Sequence, residues 1–420
     1  MLPPFLLEHF LIWMYNLLRG NNMAKKKGGS GSDDFTSDLI KSLNKEHGSR
    51  VAYNLSTDES PTHVNRWIST GSEQLDYIIA NRSNGGLPEG RIIEIFGPPS
   101  IGKSHIAIQI ARSCQVLGGI VVYIDTENAT SVENLGLLGV DINKRFVYVD
   151  THCTEEVLSI AESTIMKAKA MDKNVPVTII WDSVAASSPK AELDGTYEQN
   201  SIGLQARAIS KGMRKITGVI ANQNVLFICL NQIRTKIGVM YGDPTTTPGG
   251  KAIPFHSSVR IKLGAGQQIT NKNKEVIGIH VRAKTIKNKV APPFRECNFE
   301  IHFGKGIVEH EQVFDELRKH GAEIIDGKEI CVKGTSAWKN LTVTNTKTGE
   351  IEIEKKFYKA DFGDVWKDPE YKPYIDSLLG ACMIRKMSDD EHATLDTESY
   401  EEVRAAAMEI NLEDLPDLND

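Results

Sequence analysis

The sequence predicts an α/β protein built on a mainly parallel β-sheet. From Ile68 onward, short apolar runs alternate with helical stretches, as in repeated strand–helix units. Runs such as Val177–Trp181 place apolar residues on both faces, as a strand covered by helices on both sides requires. The 420 residues, 40% hydrophobic and 25% charged, have ordinary globular composition, and their number suits about two to three domains.

The predicted elements follow in chain order. The apolar spacing within Phe35–Leu43 defines a helix that Ser32 or Asp33 would cap and that Gly48 would end. Five strands are expected next, at residues 91–96, 120–124, 146–149, 177–181 and 225–230. Helices are expected between them, at residues 105–117, 155–171 and 202–220. An isolated helix as short as the first is marginal in water, so it would dock on the body or on a neighbouring protomer.

Shifts in composition divide the chain into five predicted segments. After the core, the pattern changes to helices and a charged hairpin whose turn lies near Lys347–Gly349, which indicates a second, small α+β domain. The segments are a doubtful N-terminal extension (1–22), a linker with the first helix (23–60), the core (61–305), the small domain (306–387) and an acidic tail (388–420).

The first 22 residues do not fit a spanning helix or a secretory signal. They are apolar but carry Glu8 and His9, are too short to span a bilayer, and lack a basic start. We therefore expect translation to begin at Met23, with a membrane anchor as the alternative.

Charge is concentrated at the C-terminus. Residues 388–420 hold twelve acidic residues and one basic residue, a local charge of −11, so the rest of the chain sums to +5 against the overall −6. This excludes a uniformly cationic DNA binder; the tail either aids solubility or competes with an anionic partner. The six cysteines form no CxxC pair, which gives a zinc site no support and favours a reducing, cytoplasmic location.

The strongest motif is GPPSIGKS, which matches the phosphate-binding pattern GxxxxGK[ST] between a predicted strand and helix. Glycines let backbone N–H groups point at phosphate, and the following helix N-terminus favours an anion. Lys103 would reach the outer phosphates of ATP, and the Ser104 hydroxyl would ligate Mg²⁺. The residues expected to hold the nucleotide are Gly97, Pro98, Pro99, Ser100, Ile101, Gly102, Lys103 and Ser104.

Carboxylates follow two of the predicted strands. Asp182 ends the strand Val177–Trp181 and is expected to hold the metal, directly or through water. Asp125 and Glu127 follow another strand, and either could activate the water that attacks ATP. Their spacing alone does not choose between them.

Two amides, Asn231 and Gln232, end the strand Val225–Leu230 at the edge where open α/β sheets bind ligands. An amide there can contact the γ-phosphate, so that the presence or absence of this phosphate changes the conformation of the following loop. That loop, Thr235–Gly250, has four threonines, four glycines and almost no periodicity, which is typical of a functional loop.

Several stretches of the sequence resemble the RecA family of recombinases. The likeness covers about residues 35–306, and its most specific part is NQIRTKIGVMYGDPTTTPGG at 231–250. The C-terminal part, around Trp338 and Trp366, looks more like phage UvsX-type recombinases, which suggests a phage-encoded member. The other matching stretches are STGS (69–72), GLPEGRIIEIFGPPSIGKS (86–104), YIDTENA (123–129), DSVAASSPKAELDG (182–195), ARAISKGMRKITG (206–218) and KNKVAPPF (287–294).

The resemblance implies roles for residues at the nucleotide site. Glu127 matches the family's catalytic glutamate, and Gln232 matches the glutamine that senses the γ-phosphate. Lys287 and Lys289 match lysines that reach the neighbouring protomer's ATP, so hydrolysis would belong to the assembled filament. Phe255 and the helix at 35–43 match elements of the interface between protomers, and such head-to-tail contacts give an open helix.

The resemblance also implies two DNA-binding loops, residues 190–202 and 233–251. Arg207, Ser210 and Arg214 are three and four residues apart, on one face of a helix suited to a phosphate backbone. Ile202 and Ile237 match apolar residues that wedge between bases. In the second loop, the residues expected at DNA are Arg234, Lys236, Ile237, Gly249, Gly250 and Lys251.

Three positions depart from the bacterial pattern. The aspartate and tyrosine that hold adenine in the family align with Ser131 and Asn134, neither of which can stack on a base. Pro99 replaces an acidic residue of the phosphate loop. The selectivity and affinity for the base therefore do not follow from the resemblance, although the phosphate machinery is intact.

Together these observations predict an ATP- and DNA-dependent recombinase. It would form a helical filament on single-stranded DNA, pair it with homologous duplex and exchange strands, with possible single-strand-binding and loader proteins as partners and no membrane association. Removal of residues 388–420 should speed loading on duplex DNA. The alternatives are a RecA-fold ATPase motor, such as a hexameric helicase, and a non-enzymatic regulator with the same fold.

Overall fold

The computed structural model describes residues 31–55, 60, 62–196, 203–235, 245–334 and 337–385. By its contacts the chain divides into two compact units, Met1–His63 and Val64–Asp420. In the first unit, helix α1 spans Gly31–Glu46, and the Asn44 side chain accepts hydrogen bonds from the backbone N–H groups of Val51 and Ala52 at 2.7 and 2.8 Å.

The predicted cap of α1 is wrong. The helix already includes Ser32 and Asp33 in its first turn, one turn earlier than expected. The apolar spacing marks only where the hydrophobic stripe begins, and the helical backbone extends one turn ahead of that stripe. Its end at Glu46, shortly before Gly48, agrees with the prediction.

The second unit is built on a nine-stranded sheet. Six neighbouring strands are parallel, in the order β10–β3–β7–β6–β4–β5, and β11, β12 and β13 extend the β10 edge antiparallel. The strands are β3 (Ile92–Gly97), β4 (Ile120–Asp125), β5 (Phe146–Asp150), β6 (Val177–Asp182), β7 (Val225–Gln232), β10 (Val259–Thr270), β11 (Val276–Asn288), β12 (Glu296–His302) and β13 (Gly306–Val308).

Helices cover both faces of this sheet and enclose two apolar layers. One layer packs α3 against residues such as Val121 and Ile180, and the other packs α5 and α7 against residues such as Ile179 and Phe227. The helices before the C-terminal part are α2 (Glu73–Ala80), α3 (Lys103–Val116), α4 (Val132–Leu137), α5 (Thr154–Met171), α6 (Lys190–Leu193), α7 (Leu204–Asn222) and α8 (Ala252–His256).

Short strands complete the second unit. Strands β1 and β2, which precede β3 in the sequence, pair antiparallel with each other. Strands β8 and β9 also pair antiparallel, at the two ends of the loop that follows β7. Their bounds are β1 (Trp67–Ile68), β2 (Leu87–Pro88), β8 (Arg234–Thr235) and β9 (Thr245–Thr246).

The C-terminal part is a four-stranded antiparallel sheet with helices on one face. Its buried residues, such as Phe314 and Phe362, belong to the same apolar cluster as the core around α3. The hairpin β16–β17 turns between Asn345 and Ile351, as predicted. The elements are α9 (His310–His320), β14 (Ala322–Ile325), β15 (Lys328–Lys333), β16 (Trp338–Asn345), β17 (Ile351–Tyr358), α10 (Phe362–Lys367) and α11 (Lys372–Met383).

A buried carboxylate joins this C-terminal part to the core. Glu309, just before α9, accepts hydrogen bonds from the Ser72 hydroxyl at 2.6 Å and from the Glu73 backbone N–H at 2.5 Å, so it caps α2. Burial raises the pKa of Glu309 to about 7, although these hydrogen bonds oppose the rise. Within the described ranges, no helix is long and apolar enough to cross a bilayer.

The predicted fold class is confirmed. Each strand and helix expected in the core is present, with ends that differ from the prediction by one or two residues. The proposed domain limits at 305 and 387 stay predictions.

Candidate nucleotide site and DNA-facing surface

The phosphate loop lies between the central strand β3 and helix α3. Gly102, at φ 90°, makes the left-handed turn into the helix, and a Cβ at this position would collide with the Ile301 side chain. Lys103 Nζ folds back and donates to the carbonyls of Gly97 at 3.2 Å and Pro98 at 2.7 Å. Burial lowers the pKa of Lys103. The loop therefore has the shape and charge that a phosphate chain requires.

The predicted metal residues are in direct contact. Ser104, in the first turn of α3, donates its hydroxyl proton to Asp182 Oδ2 at 2.8 Å, although Asp182 ends strand β6. The Tyr123 hydroxyl donates to the same oxygen at 2.5 Å. Burial raises the pKa of Asp182, hydrogen bonds from these two hydroxyls oppose the rise, and the charge of Glu127 adds to it. A hydroxyl beside a carboxylate is a donor set that suits Mg²⁺.

The structure separates the two carboxylates that spacing left undecided. Strand β4 ends at Asp125, which is buried and accepts hydrogen bonds from the backbone N–H groups of Glu127 and Thr130, both at 2.9 Å. Burial would raise the pKa of Asp125, but these bonds and one from Tyr148 leave it below its usual value. Asp125 therefore holds the turn, whereas Glu127 lines the cavity with Lys103.

Gln232 connects this carboxylate to the end of β7. Its Nε2 donates to Glu127 Oε1 at 3.3 Å, and the Ser183 hydroxyl donates to the same oxygen. The neighbouring Asn231 is fully buried and donates to Glu94 at 3.0 Å and to the Pro248 carbonyl at 3.1 Å. Asn231 thus anchors the C-terminal end of the following loop at Pro248, while Gln232 faces the candidate nucleotide site.

A cavity of about 390 Å³ opens over the phosphate loop. Two of its lining rings, His105 and Phe303, were not predicted; their centroids are 6.3 Å apart, and Phe303 is 51% exposed. Phe303 follows strand β12 and reaches the site only through folding, so no local sequence pattern signalled it. His105 directly follows Ser104, and this adjacency was the one signal that could have identified it. The lining residues are Pro99, Ser100, Gly102, Lys103, Ser104, His105, Glu127, Asp182, Gln232, Ile279, Ile301 and Phe303.

A second cavity of about 90 Å³ adjoins the first at Ser104, Glu127 and Asp182. Ser131 and Asn134 line it. Ser131 caps α4 by accepting a hydrogen bond from the backbone N–H of Asn134. Neither side chain is aromatic, so neither can stack on a base in this cavity.

The predicted trans-acting lysines are not part of this cavity's lining. Lys287 Nζ donates to the carbonyls of Pro254 and Phe255 at 2.7 and 2.9 Å, and Lys289 is exposed. Burial lowers the pKa of Lys287, and the adjacent charge of Lys289 lowers it further. Phe255, beside them, is 74% exposed.

The expected DNA-binding residues fall partly within the described chain. On α7, Arg207 and Arg214 are exposed and Ser210 is half-buried. In the second loop, Arg234 pairs with Thr246 across β8 and β9, Gly250 and Lys251 are exposed, and Gly249 is buried. Three expected contacts lie outside the described residues, namely Ile202, Lys236 and Ile237.

The fold and the site define a class. A phosphate loop after a parallel strand, with a hydroxyl–carboxylate pair and a further carboxylate beside it, is typical of P-loop proteins that bind nucleoside triphosphates. The family model described as the RecA N-terminal domain matches residues 35–308. The chain belongs to the RecA family of ATP-dependent recombinases.

Curated relatives extend over most of the chain. It is 43% identical over 361 residues to Protein RecA of Wolinella succinogenes, covering 86% of this chain and 96% of the relative. It is 41% identical over 305 residues to Protein RecA of Ruminococcus albus, covering 73% and 71%. It is 38% identical over 344 residues to Protein RecA of Pseudomonas fluorescens, covering 82% and 89%. The expected phage origin stays a prediction.

Proposed function

We propose that this chain hydrolyses Mg²⁺·ATP in response to single-stranded DNA and, as a helical filament, pairs that strand with homologous duplex and exchanges strands. The observation that carries the proposal is the 3.3 Å contact between Gln232 and Glu127. It joins a carboxylate at the phosphate loop to the last residue before the loop at 233–251. DNA bound to that loop can therefore change the position of the group that handles the attacking water.

The residues present fit ATP and Mg²⁺. The backbone of residues 97–104 and Lys103 would hold the phosphates, and Ser104 with Asp182 would hold the metal. The metal supplies charge neutralisation at the phosphates. Glu127, with its carboxylate in the same cavity, orients and deprotonates water.

The adenine is proposed to lie against Phe303. Ser131 and Asn134 cannot stack on a base, whereas Phe303 presents a half-exposed ring on the wall of the larger cavity. An aromatic face accepts any base, so this contact gives affinity with little base selectivity.

The filament supplies the remaining charges in trans. Lys287 and Lys289 lie at an exposed surface with Phe255, and the Lys287 ammonium is held there by two carbonyls. A cation delivered by a neighbouring protomer would stabilise the charge that develops on the phosphates. Hydrolysis would then require assembly.

DNA is proposed to bind along α7 and the second loop. Arg207, Arg214, Arg234 and Lys251 are exposed cations, and Gly250 offers a backbone N–H group at the surface. These groups suit phosphates rather than base edges. Sequence selection would come from base pairing between the bound strand and the duplex.

The proposal is tested by ATP hydrolysis with and without single-stranded DNA. We expect stimulation in the native chain, loss of hydrolysis with retained DNA binding in Glu127→Gln, and near-native rates in Glu133→Gln, a matched change in the first turn of α4. Electron microscopy then separates open filaments from the closed rings of a hexameric motor. Native DNA binding without any stimulated hydrolysis would refute the proposal.

A further inference from the structure

Tyr123 places a phenol hydroxyl inside the core, against the Asp182 carboxylate. It is fully buried inside β4, where its neighbours in register are Ile180 of β6 and Tyr148 of β5. Its ring stacks on Phe146 with 6.4 Å between centroids. Since alternate residues of a strand share a face, Tyr123 and Asp182 both lie on the face that α3 covers. The packed ring therefore delivers one hydroxyl to one carboxylate.

The hydrogen bonds at Asp182 are unequally shared between its two oxygens. Oδ2 accepts both the Tyr123 hydroxyl at 2.5 Å and the Ser104 hydroxyl at 2.8 Å. In the part of the chain that the structure describes, no protein group donates a hydrogen bond to Oδ1. The carboxylate is thus fixed through one oxygen, and the other is left for a different ligand.

Without the tyrosine, only Ser104 would orient this carboxylate. Ser104 is itself expected at the metal, so its hydroxyl cannot serve as an independent support. The Tyr123 hydroxyl is independent, because its ring is held in the apolar layer and not by the nucleotide loop. Partners that orient a metal-binding carboxylate from behind commonly change metal affinity by about ten- to a hundredfold when they are removed.

We propose that Tyr123 is a positioning residue of the magnesium site, whose phenol O–H holds the Asp182 carboxylate ready for Mg²⁺. The inference rests on the proposed function, since it assumes that Ser104 and Asp182 serve a nucleotide-bound metal. Nothing in the sequence pattern signals it, because a tyrosine in an apolar strand is most simply a core residue.

The test compares Tyr123→Phe with Tyr148→Phe. Each change removes one hydroxyl that donates to an aspartate at the sheet edge, because Tyr148 donates to Asp125 Oδ2 at 3.2 Å. Binding of a fluorescent ADP analogue, which is not hydrolysed, is measured against Mg²⁺ concentration. We expect Tyr123→Phe to raise the half-saturating Mg²⁺ concentration about tenfold, with nucleotide affinity restored at high Mg²⁺, and Tyr148→Phe to match the native chain.

A non-natural pair separates the hydroxyl from the packing. At position 123, 4-aminophenylalanine keeps a para donor, and 4-methylphenylalanine has similar size without one. We expect the amino side chain to return the Mg²⁺ midpoint toward the native value and the methyl side chain to leave it raised. This comparison remains decisive if Tyr123→Phe folds poorly.

Two results would overturn the inference. One is a Mg²⁺ midpoint within twofold of native in Tyr123→Phe, whatever its melting temperature. The other is a raised midpoint that is equal for the amino and methyl side chains, which would assign the effect to packing. Binding of the ADP analogue by the native chain without any dependence on Mg²⁺ would also count against the inference, whereas the proposed function fails only in the separate hydrolysis assay.

Discussion

At the scale of single residues, neighbouring amides at the end of β7 have different tasks. Gln232 contacts Glu127 at the nucleotide site, whereas Asn231 is buried between Glu94 and the Pro248 carbonyl. Arg260 pairs with the same Glu94 at 2.6 Å. One amide therefore contacts the candidate nucleotide site, where the proposed signal would pass, and the other holds the structure together.

We predict that Gln232→Ala impairs stimulation by DNA, whereas Asn231→Ala impairs stability. Gln232→Ala should keep the native melting temperature and basal ATP hydrolysis but lose the stimulation by single-stranded DNA. Asn231→Ala leaves buried groups without a partner and should reduce the free energy of unfolding by about 1–3 kcal/mol. Thermal melts and hydrolysis assays on both variants check this; an equal loss of stimulation without destabilisation would contradict it.

The candidate site was only partly predictable from residues. The phosphate loop and Asp182 could be found because their chemistry depends on local spacing next to a strand. Spacing could not choose between Glu127 and Asp125, because the surroundings of each depend on where strand β4 ends, and the choice of Glu127 stays a prediction. Tyr123 and Phe303 join the site through tertiary packing, which leaves no local pattern.

At the scale of elements, helix α7 shows how closely the proposed DNA-binding surface depends on packing. Gly212 lies against Leu158 of α5, so that a Cβ at this position would overlap the leucine side chain. Gly218, on the same helix, has no atom within 4 Å of the corresponding position. Packing therefore requires a glycine at position 212 but not at position 218, and the sequence alone does not distinguish the two positions.

We predict opposite effects of the same substitution at these glycines. Gly212→Ala should destabilise the protein by about 1–3 kcal/mol because the buried Leu158 side chain must leave its place between α5 and α7. Any shift of α7 that follows should weaken DNA binding through Arg207 and Arg214. Gly218→Ala should stabilise by roughly 0.5–1 kcal/mol, the helix preference of alanine over glycine. Thermal unfolding and DNA-binding titrations test both, and destabilisation by both changes would argue against this account.

The junction of α2 and α9 should make stability depend on pH. The pKa of Glu309 is raised from an ordinary 4.5 to about 7 in the folded chain, so the folded state retains a proton that the unfolded state releases between these values. The stabilisation is complete below about pH 4.5 and is lost as pH rises through about 7.

We predict that Glu309→Gln reduces this pH dependence. Glutamine cannot ionise. Its single carbonyl oxygen can still accept from the backbone N–H of Glu73, and its NH2 group can donate to the Ser72 hydroxyl in place of the bond that the carboxylate accepts. Between pH 5.5 and pH 8, the melting temperature of the native chain should fall by about 2 °C or more beyond that of the variant. Differential scanning calorimetry across this range provides the measurement, and parallel pH profiles would refute the assignment.

At the scale of the whole molecule, the elements were more predictable than their arrangement. Alternating apolar runs identified the strands because a parallel sheet buries both faces of each strand. The antiparallel extension by β11, β12 and β13 was not predicted, since register between distant strands leaves no periodic signal. The proposed assembly would likewise be a property of the whole chain, since Lys287 donates to the carbonyls of Pro254 and Phe255 and does not line the cavity over the phosphate loop.

We predict that defective chains complement each other in mixed filaments. Lys287→Ala combined with Lys289→Ala should remove DNA-stimulated hydrolysis, as should Glu127→Gln. Mixed in equal amounts, they should recover about a quarter of the native rate, because one interface in four joins an intact Glu127 to intact lysines of a neighbour. Hydrolysis that stays at the level of the separate variants would place the lysines in their own protomer's site.

The position of β3 in the sheet has a consequence for synthesis on the ribosome. This strand carries the phosphate loop and is the first long strand to be made, yet its neighbours β7 and β10 begin only at Val225 and Val259. A nascent chain that ends before Val225 has neither flanking strand, so the loop has no fixed base. Nucleotide binding should therefore arise late in translation, when most of the chain has left the exit tunnel.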